Sequence, residues 1–191
     1  MQDDQLLQGV RVAVLATDMV EEAELVEPRA ALEAAGARTE LISPKDSEII
    51  AANHFNKANS YPVDRSLDDA EASSYDAVFL PGGALNADFM RADERVQKFL
   101  QDADEAGKPI AIICHAPWEL ISADLVEGRS LTSFYTIADD IRNAGGEWTD
   151  EPVVVDGNWV SSRSPEDIPA FNQAMIKLFA DIYAMTTNVM A

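Results

Sequence analysis

The chain has 191 residues, 47% of them hydrophobic, and its 14 basic against 34 acidic side chains give a formal net charge of −20. Such a balance repels nucleic acid and anionic membranes, and because the acids are spread along the whole chain it describes a strongly solvated surface. No apolar run reaches the roughly 20 residues of a membrane helix, MQDDQLLQGV has neither the basic start nor the apolar core of a secretion signal, and one cysteine precludes an intramolecular disulfide. A cytoplasmic protein with one domain over residues 1–191 is therefore expected.

Val10–Ala16 (VRVAVLA) is an apolar, β-branched run that predicts a strand buried on both faces. A helix is expected over Pro28–Ala35, with Pro28 in its first turn and Gly36 as its cap. Arg38–Ser43 predicts a second strand, closing a β-α-β unit with a right-handed crossover. The pattern then weakens until Asp69, where Ile49–Ile50 and Tyr61–Val63 predict two short antiparallel strands around the polar stretch HFNKANS. Ala77–Leu80 (AVFL) resumes the buried-strand pattern and ends in Pro81, Gly82 and Gly83. A helix over Glu94–Ala106 capped by Gly107, a strand at Ala111–Ile113 and a helix starting over His115–Leu120 follow. Tyr135–Ala144 predicts a helix, Val153–Val155 and Trp159–Ser161 a hairpin around Asp156-Gly157, and Pro165–Met185 a closing helix.

Alternating strands and helices predict an α/β fold, a mostly parallel sheet with helices on both faces. Ligands bind such sheets beyond the carboxyl ends of the strands. Three strand ends carry chemistry here: Thr17–Glu24, Pro81–Asp88 and Cys114-His115.

Cys114 falls in the tight turn between a strand and a helix, where unpaired backbone N–H groups and the helix dipole favour a thiolate. The plain alternative is a small buried hydrophobe. Glycines at a strand end let backbone N–H groups approach a reacting oxygen, so the amides of Gly83 and His115 are candidates for an oxyanion hole. Neither GxxxxGK[ST] nor GxGxxG occurs, which argues against a nucleotide phosphate loop.

The run Thr17–Glu24 contains four acids, some of which are expected to cap the following helix. One of them, held against the thiol in an apolar cleft, would stay protonated and donate a hydrogen bond to sulfur. The residues alone do not choose among Glu21, Glu22 and Glu24. His115 needs a carboxylate to orient its ring, and Asp88 is the best-placed candidate. His54 reads as an ordinary surface residue, and one cysteine with two distant histidines offers no metal-ligand spacing. No cofactor and no metal are expected.

The segments DMVEEAELVEP, NHFNKANSYPVD, FLPGGALNADFMR, AIICHAPWELI, LVEGRSLTS and IRNAGGEWTDEPVVVDGNWVSSRSPEDIPAF resemble, in order and spacing, the ThiJ/PfpI superfamily and within it the intracellular protease I-like stress proteins. The resemblance implies a flavodoxin-like three-layer α/β sandwich with the cysteine at a nucleophile elbow. It places the glutamate that contacts the sulfur at Glu21. It also implies a homo-oligomer, at least a dimer, with sites near a subunit interface, and gives Asp88 of a neighbouring subunit the acidic place in a Cys-His-acid triad. The match at Asp88 needs a one-residue shift, and an aspartate reaches less far than the glutamate of some members. The sheet is also similar to that of class I glutamine amidotransferases, but no histidine follows His115, which argues against their activity.

A stress-protective enzyme follows, with Cys114 attacking small aldehydes or their glycation adducts on proteins, and with peptidase action as a second enzymatic reading. Its partners are then a small aldehyde, a glycated protein or a peptide. The alternative from another class is a redox sensor or chaperone-like protein whose Cys114 cycles through sulfenic acid without turnover; lacking a second cysteine, it would need an external thiol to recover.

Overall fold

Val12, Val14 and Ala13, Leu15 face opposite ways along β1 (Arg11–Leu15), yet all four are fully buried, because this strand lies inside a sheet covered on both sides. The computed structural model in which this is seen describes residues 5–189.

From β1 the chain enters α1 (Glu22–Ala34), then β2 (Arg38–Ser43), the hairpin β3 (Glu48–Asn53) and β4 (Asn56–Pro62), and the short β5 (Arg65–Ser66). The second β-α unit is β6 (Ala77–Leu80) followed by α2 (Ala84–Arg91) and α3 (Glu94–Glu105). β7 (Ile110–Ile113) leads into α4 (Pro117–Ser122), after which come β8 (Ser130–Leu131), α5 (Ala138–Asn143) and β9 (Glu147–Trp148). The hairpin β10 (Val153–Asp156) and β11 (Trp159–Ser162) precedes the long α6 (Ile168–Val189).

Seven strands form the central sheet in the order β10-β11-β7-β6-β1-β2-β5, parallel except for the β10–β11 pair. Two cores result. On one face Val12, Val14, Ala111 and Ile113 pack against Leu25 and Leu32 of α1 and Phe171, Met175 and Phe179 of α6. On the other, Ala13, Leu15, Ile110 and Ile112 meet Met90, Val96, Phe99, Leu100, Leu120 and Ile141 from α2 to α5. This is the flavodoxin-like three-layer arrangement.

Two expectations are corrected. The helix expected to open at Pro28 begins at Glu22, with Pro28 in its interior. The early acids Glu22 and Glu24 suit the positive end of the helix, while Pro28 in its interior removes the hydrogen bond to the Glu24 carbonyl and crowds that oxygen with its ring. The segment after Gly83, to which the sequence assigns no helix, is the helix α2, whose start follows the left-handed Gly83 (φ 91°). The β3–β4 hairpin is also longer than expected, since strand pairing continues through the polar residues to a tip at His54 and Phe55.

Candidate active site

β7, β6 and β1 lie side by side, so the segments leaving their carboxyl ends converge. Cys114 leaves β7 with a left-handed backbone, φ 64°. A non-glycine residue held there stores roughly 1–3 kcal/mol of strain. Three hydrogen bonds hold the turn: Cys114 N–H donates to Ser162 O, the Cys114 carbonyl accepts from Phe134 N–H, and Ala116 N–H closes onto Ile113 O.

The His115 ring folds back beside the thiol. Its Nδ1 lies 3.1 Å from Cys114 Sγ, and its Nε2 lies 3.4 Å from Thr136 Oγ1. Phe134 stacks on the imidazole at 4.8 Å between centroids and Trp118 meets it edge-on at 5.3 Å. Burial depresses the His115 pKa below its ordinary 6.5, so the ring is neutral at pH 7. With Nε2–H donating to Thr136, Nδ1 is free to accept the thiol proton.

Gly82 and Gly83 are both required by space, and Gly83 also by its left-handed backbone. A Cβ on Gly82 would collide with the Glu24 carboxyl and the Cys114 Cβ, and one on Gly83 would stand 2.6 Å from Met19 O and 2.7 Å from Glu21 N. This close approach sets two backbone amides, those of Gly83 and His115, toward the Cys114 sulfur. Because α4 is only six residues long, these two N–H groups rather than a long helix dipole supply the positive field.

The carboxyl beside the sulfur is Glu24, which corrects the expectation of Glu21. Each acid of this loop has its own partner. Asp18 accepts from Lys45 Nζ and Ile50 N–H, Glu21 accepts from His54 N–H at 3.0 Å, and Glu22 accepts from Tyr61 Oη and Asn59. Glu21 stands just outside α1, as its N-cap, and turns toward the hairpin. Glu24 lies one turn inside and shares the buried face with Leu25, Pro28 and Leu32. It is fully buried, and its carboxyl packs under Gly82 against Cys114.

Burial raises the Glu24 pKa to about 8, opposed by the Cys114 thiol and the Gly82 N–H and assisted by the nearby Glu21. Neither Glu24 oxygen completes a well-formed hydrogen bond with those neighbours. Burial likewise pushes the Cys114 thiol up, and an ionised Glu24 pushes it further, while the Gly83 and His115 amides pull it down. The two groups therefore titrate as a pair, and a proton kept on Glu24 removes the repulsion that opposes the thiolate.

Asp88 does not join this cluster within the chain. It is exposed on α2 between the exposed Leu85 and Phe89, and His115 pairs instead with Thr136. Sequence reasoning left Glu24 open beside Glu21 and Glu22, and it missed Thr136 and Asn86, a fully buried amide behind the double glycine. For Glu24 the signal was present: Glu24, Pro28 and Leu32 repeat at helical spacing once the helix is begun at Glu22. Among the described residues, no group of three or more His, Cys, Asp or Glu side chains could hold a metal ion, and no helix is long and apolar enough to cross a membrane.

The sequence profile of the DJ-1/PfpI family matches residues 10–178. Protein/nucleic acid deglycase 2 of Escherichia coli (strain K12) is 38% identical over 169 residues, covering 88% of this chain and 96% of that protein. Deglycase PfpI of Pyrococcus furiosus is 37% identical over 169 residues, covering 88% and 99%. A solved two-domain protein of Anabaena variabilis, with DJ-1/ThiJ/PfpI-like and ferritin-like domains, superposes with a TM-score of 0.83 at 35% identity, over 88% of this chain and 47% of that longer one.

Proposed function

The chain belongs to the DJ-1/PfpI family, and from that premise we propose that it is a cysteine-dependent enzyme of the deglycase type. Cys114 is its nucleophile toward small α-oxoaldehydes and their early adducts on amines. The observation that carries this reading is a strained thiol with His115 Nδ1 at 3.1 Å on one side and a buried, proton-retaining Glu24 on the other.

His115 Nδ1 takes the thiol proton as sulfur adds to the aldehyde carbon. A C–S bond forms and the carbonyl electron pair moves to oxygen, where the Gly83 and His115 amides stabilise it. Protonation gives a hemithioacetal. Moving the carbon-bound proton to the adjacent ketone oxygen gives an enediol, and protonation of the former ketone carbon, as the hydroxyl on the sulfur-bearing carbon gives up its proton, gives a thioester, with Glu24 or His115 as proton carrier. Water then releases a hydroxy acid and regenerates the thiol, so aldehyde oxidation and ketone reduction balance within one substrate. For a hemiaminal on an amine, the C–N bond breaks first, the amine leaves with a proton, and sulfur captures the freed carbonyl carbon.

On the same reading the protein is a stress-protective, cytoplasmic homo-oligomer. The exposed Leu85 and Phe89 on α2 support a subunit contact there. Asp88 lies between them, which favours peptidase-like action as the second reading, with Asp88 of the partner subunit completing a triad through His115.

The test is turnover of methylglyoxal by the purified protein, followed by loss of the aldehyde and appearance of lactate. Cys114-dependent turnover is expected. Activity equal in Cys114→Ala and wild type, or absent from both, sinks the proposal.

A further inference from the structure

We propose that Asn86 is a positioning residue that aims the Gly83 N–H at the Cys114 sulfur by clamping the Gly82–Gly83 peptide from behind. Asn86 is fully buried in α2. Its Nδ2 donates to Gly82 O at 3.0 Å and to Pro81 O at 3.2 Å, while its Oδ1 accepts from Thr17 N–H at 2.7 Å. Both amide protons are used, and the flipped side chain would set donor against donor and acceptor against acceptors, so its orientation is fixed.

The C=O of Gly82 and the N–H of Gly83 belong to one planar trans peptide and point in opposite directions. Holding that oxygen on Asn86 therefore sends the N–H the other way, toward the side of the Cys114 thiol, whose pKa it lowers. Glu21 N–H reaches the same oxygen at 3.3 Å, a longer bond from the edge of α1. Without Asn86 it would be the one remaining hydrogen bond to that oxygen among the described residues, on a peptide between two glycines, which resist rotation least. The bond to Thr17 N–H ties the loop after β1, and so the approach to Glu24, into the same clamp. An asparagine three residues past a double glycine thus converts a flexible turn into a rigid donor.

The inference rests on the proposed function only in taking Cys114 as the nucleophile, and it is tested on the thiol itself. Alkylation of Cys114 by iodoacetamide is followed against pH in the wild type, Asn86→Leu, Asn86→Ala and Leu100→Ala, a variant of the core side of α3 that makes none of the Asn86 hydrogen bonds. Neutral replacements avoid adding a charge near sulfur. Both Asn86 variants are expected to raise the apparent thiol pKa by about one unit and slow alkylation at neutral pH roughly tenfold. Leu100→Ala is expected to lower the melting temperature and leave the profile in place.

An unchanged profile in either folded Asn86 variant, or an equal shift in Leu100→Ala, overturns the clamp. It is judged on the difference from wild type, whether or not methylglyoxal turns over. Should both variants fail to fold, amide spectra of the wild type decide. The Asn86 side-chain protons are expected to exchange slowly and the Gly83 amide proton to shift as Cys114 titrates. Fast exchange, or a Gly83 amide indifferent to the thiol, overturns it equally.

Discussion

Glu24 and Cys114, separated by most of the sheet in sequence, share one buried space beneath Gly82, and the carboxyl is held neutral near physiological pH. Its neighbour in sequence, Glu21, points away to the β3–β4 hairpin. Glu24→Gln is therefore expected to keep the fold but lower kcat on methylglyoxal by roughly 10²–10⁴-fold, the usual scale of a lost proton carrier. Glu21→Gln should stay within a few-fold of wild type. Equal effects of the two substitutions would contradict the assignment.

Two buried carboxyls make stability fall with rising pH. Glu24 titrates at about 8 when folded against an ordinary 4.5, and burial also raises Glu119, which is fully buried in α4 with neither oxygen hydrogen-bonded. Between those values the folded protein holds a proton that the unfolded chain has released, so stability is fullest below the unfolded pKa and is lost as pH rises through the folded one. Thermal unfolding at several pH values should show a declining melting temperature that Glu24→Gln and Glu119→Gln each flatten. Glu119→Leu should add about 1–3 kcal/mol, as expected when a buried polar group without hydrogen-bond partners gives way to an apolar one. A Glu119→Leu protein no more stable than wild type at pH 8 would refute this account.

On the proposed mechanism the imidazole supplies the acid limb of the rate profile. Burial lowers the His115 pKa below 6.5, so the neutral base persists to more acid pH than an exposed histidine allows. The kcat/KM of the wild type should fall only as pH drops through that lowered value. Removing the Nε2 partner with Thr136→Val should cost about two- to tenfold, in line with one hydrogen bond of modest net strength. A limb centred at or above 6.5 would show that His115 is not the group titrating.

The α2 surface is where the proposed assembly can be tested. Leu85 is 49% and Phe89 57% exposed, and both flank Asp88. Sedimentation should find a dimer or larger for the wild type and smaller species for Leu85→Glu with Phe89→Glu. If Asp88 of the partner subunit acts through His115, peptidase activity and not thiol alkylation should fall in step with dissociation. Unchanged sedimentation would exclude this face as the contact.

Periodicity made the fold legible because an apolar strand buried on both faces, such as Val12–Leu15 or Ala77–Leu80, shows its burial in composition alone. The helix opening at Glu22 was harder, because Pro28 is a stronger local signal for a first turn than the acids that actually start it. That shift of six residues hid the inward face carrying Glu24. Asn86 was invisible for a different reason: an asparagine near a double glycine looks like loop chemistry until α2 buries it.

The sequence by itself determined the layered parallel sheet, the lone thiol at a strand-to-helix turn and the double glycine beside it, because each is a local pattern of side-chain type and spacing. Tertiary structure alone decided that Glu24 meets the sulfur, that His115 folds back to within 3.1 Å of it, and that Asn86 holds the Gly82 carbonyl. Those outcomes depend on which helix face turns inward and how three strand ends, distant along the chain, align at one edge. A difference of one helical turn, about 5.4 Å, is enough to replace one acid by another at the thiol.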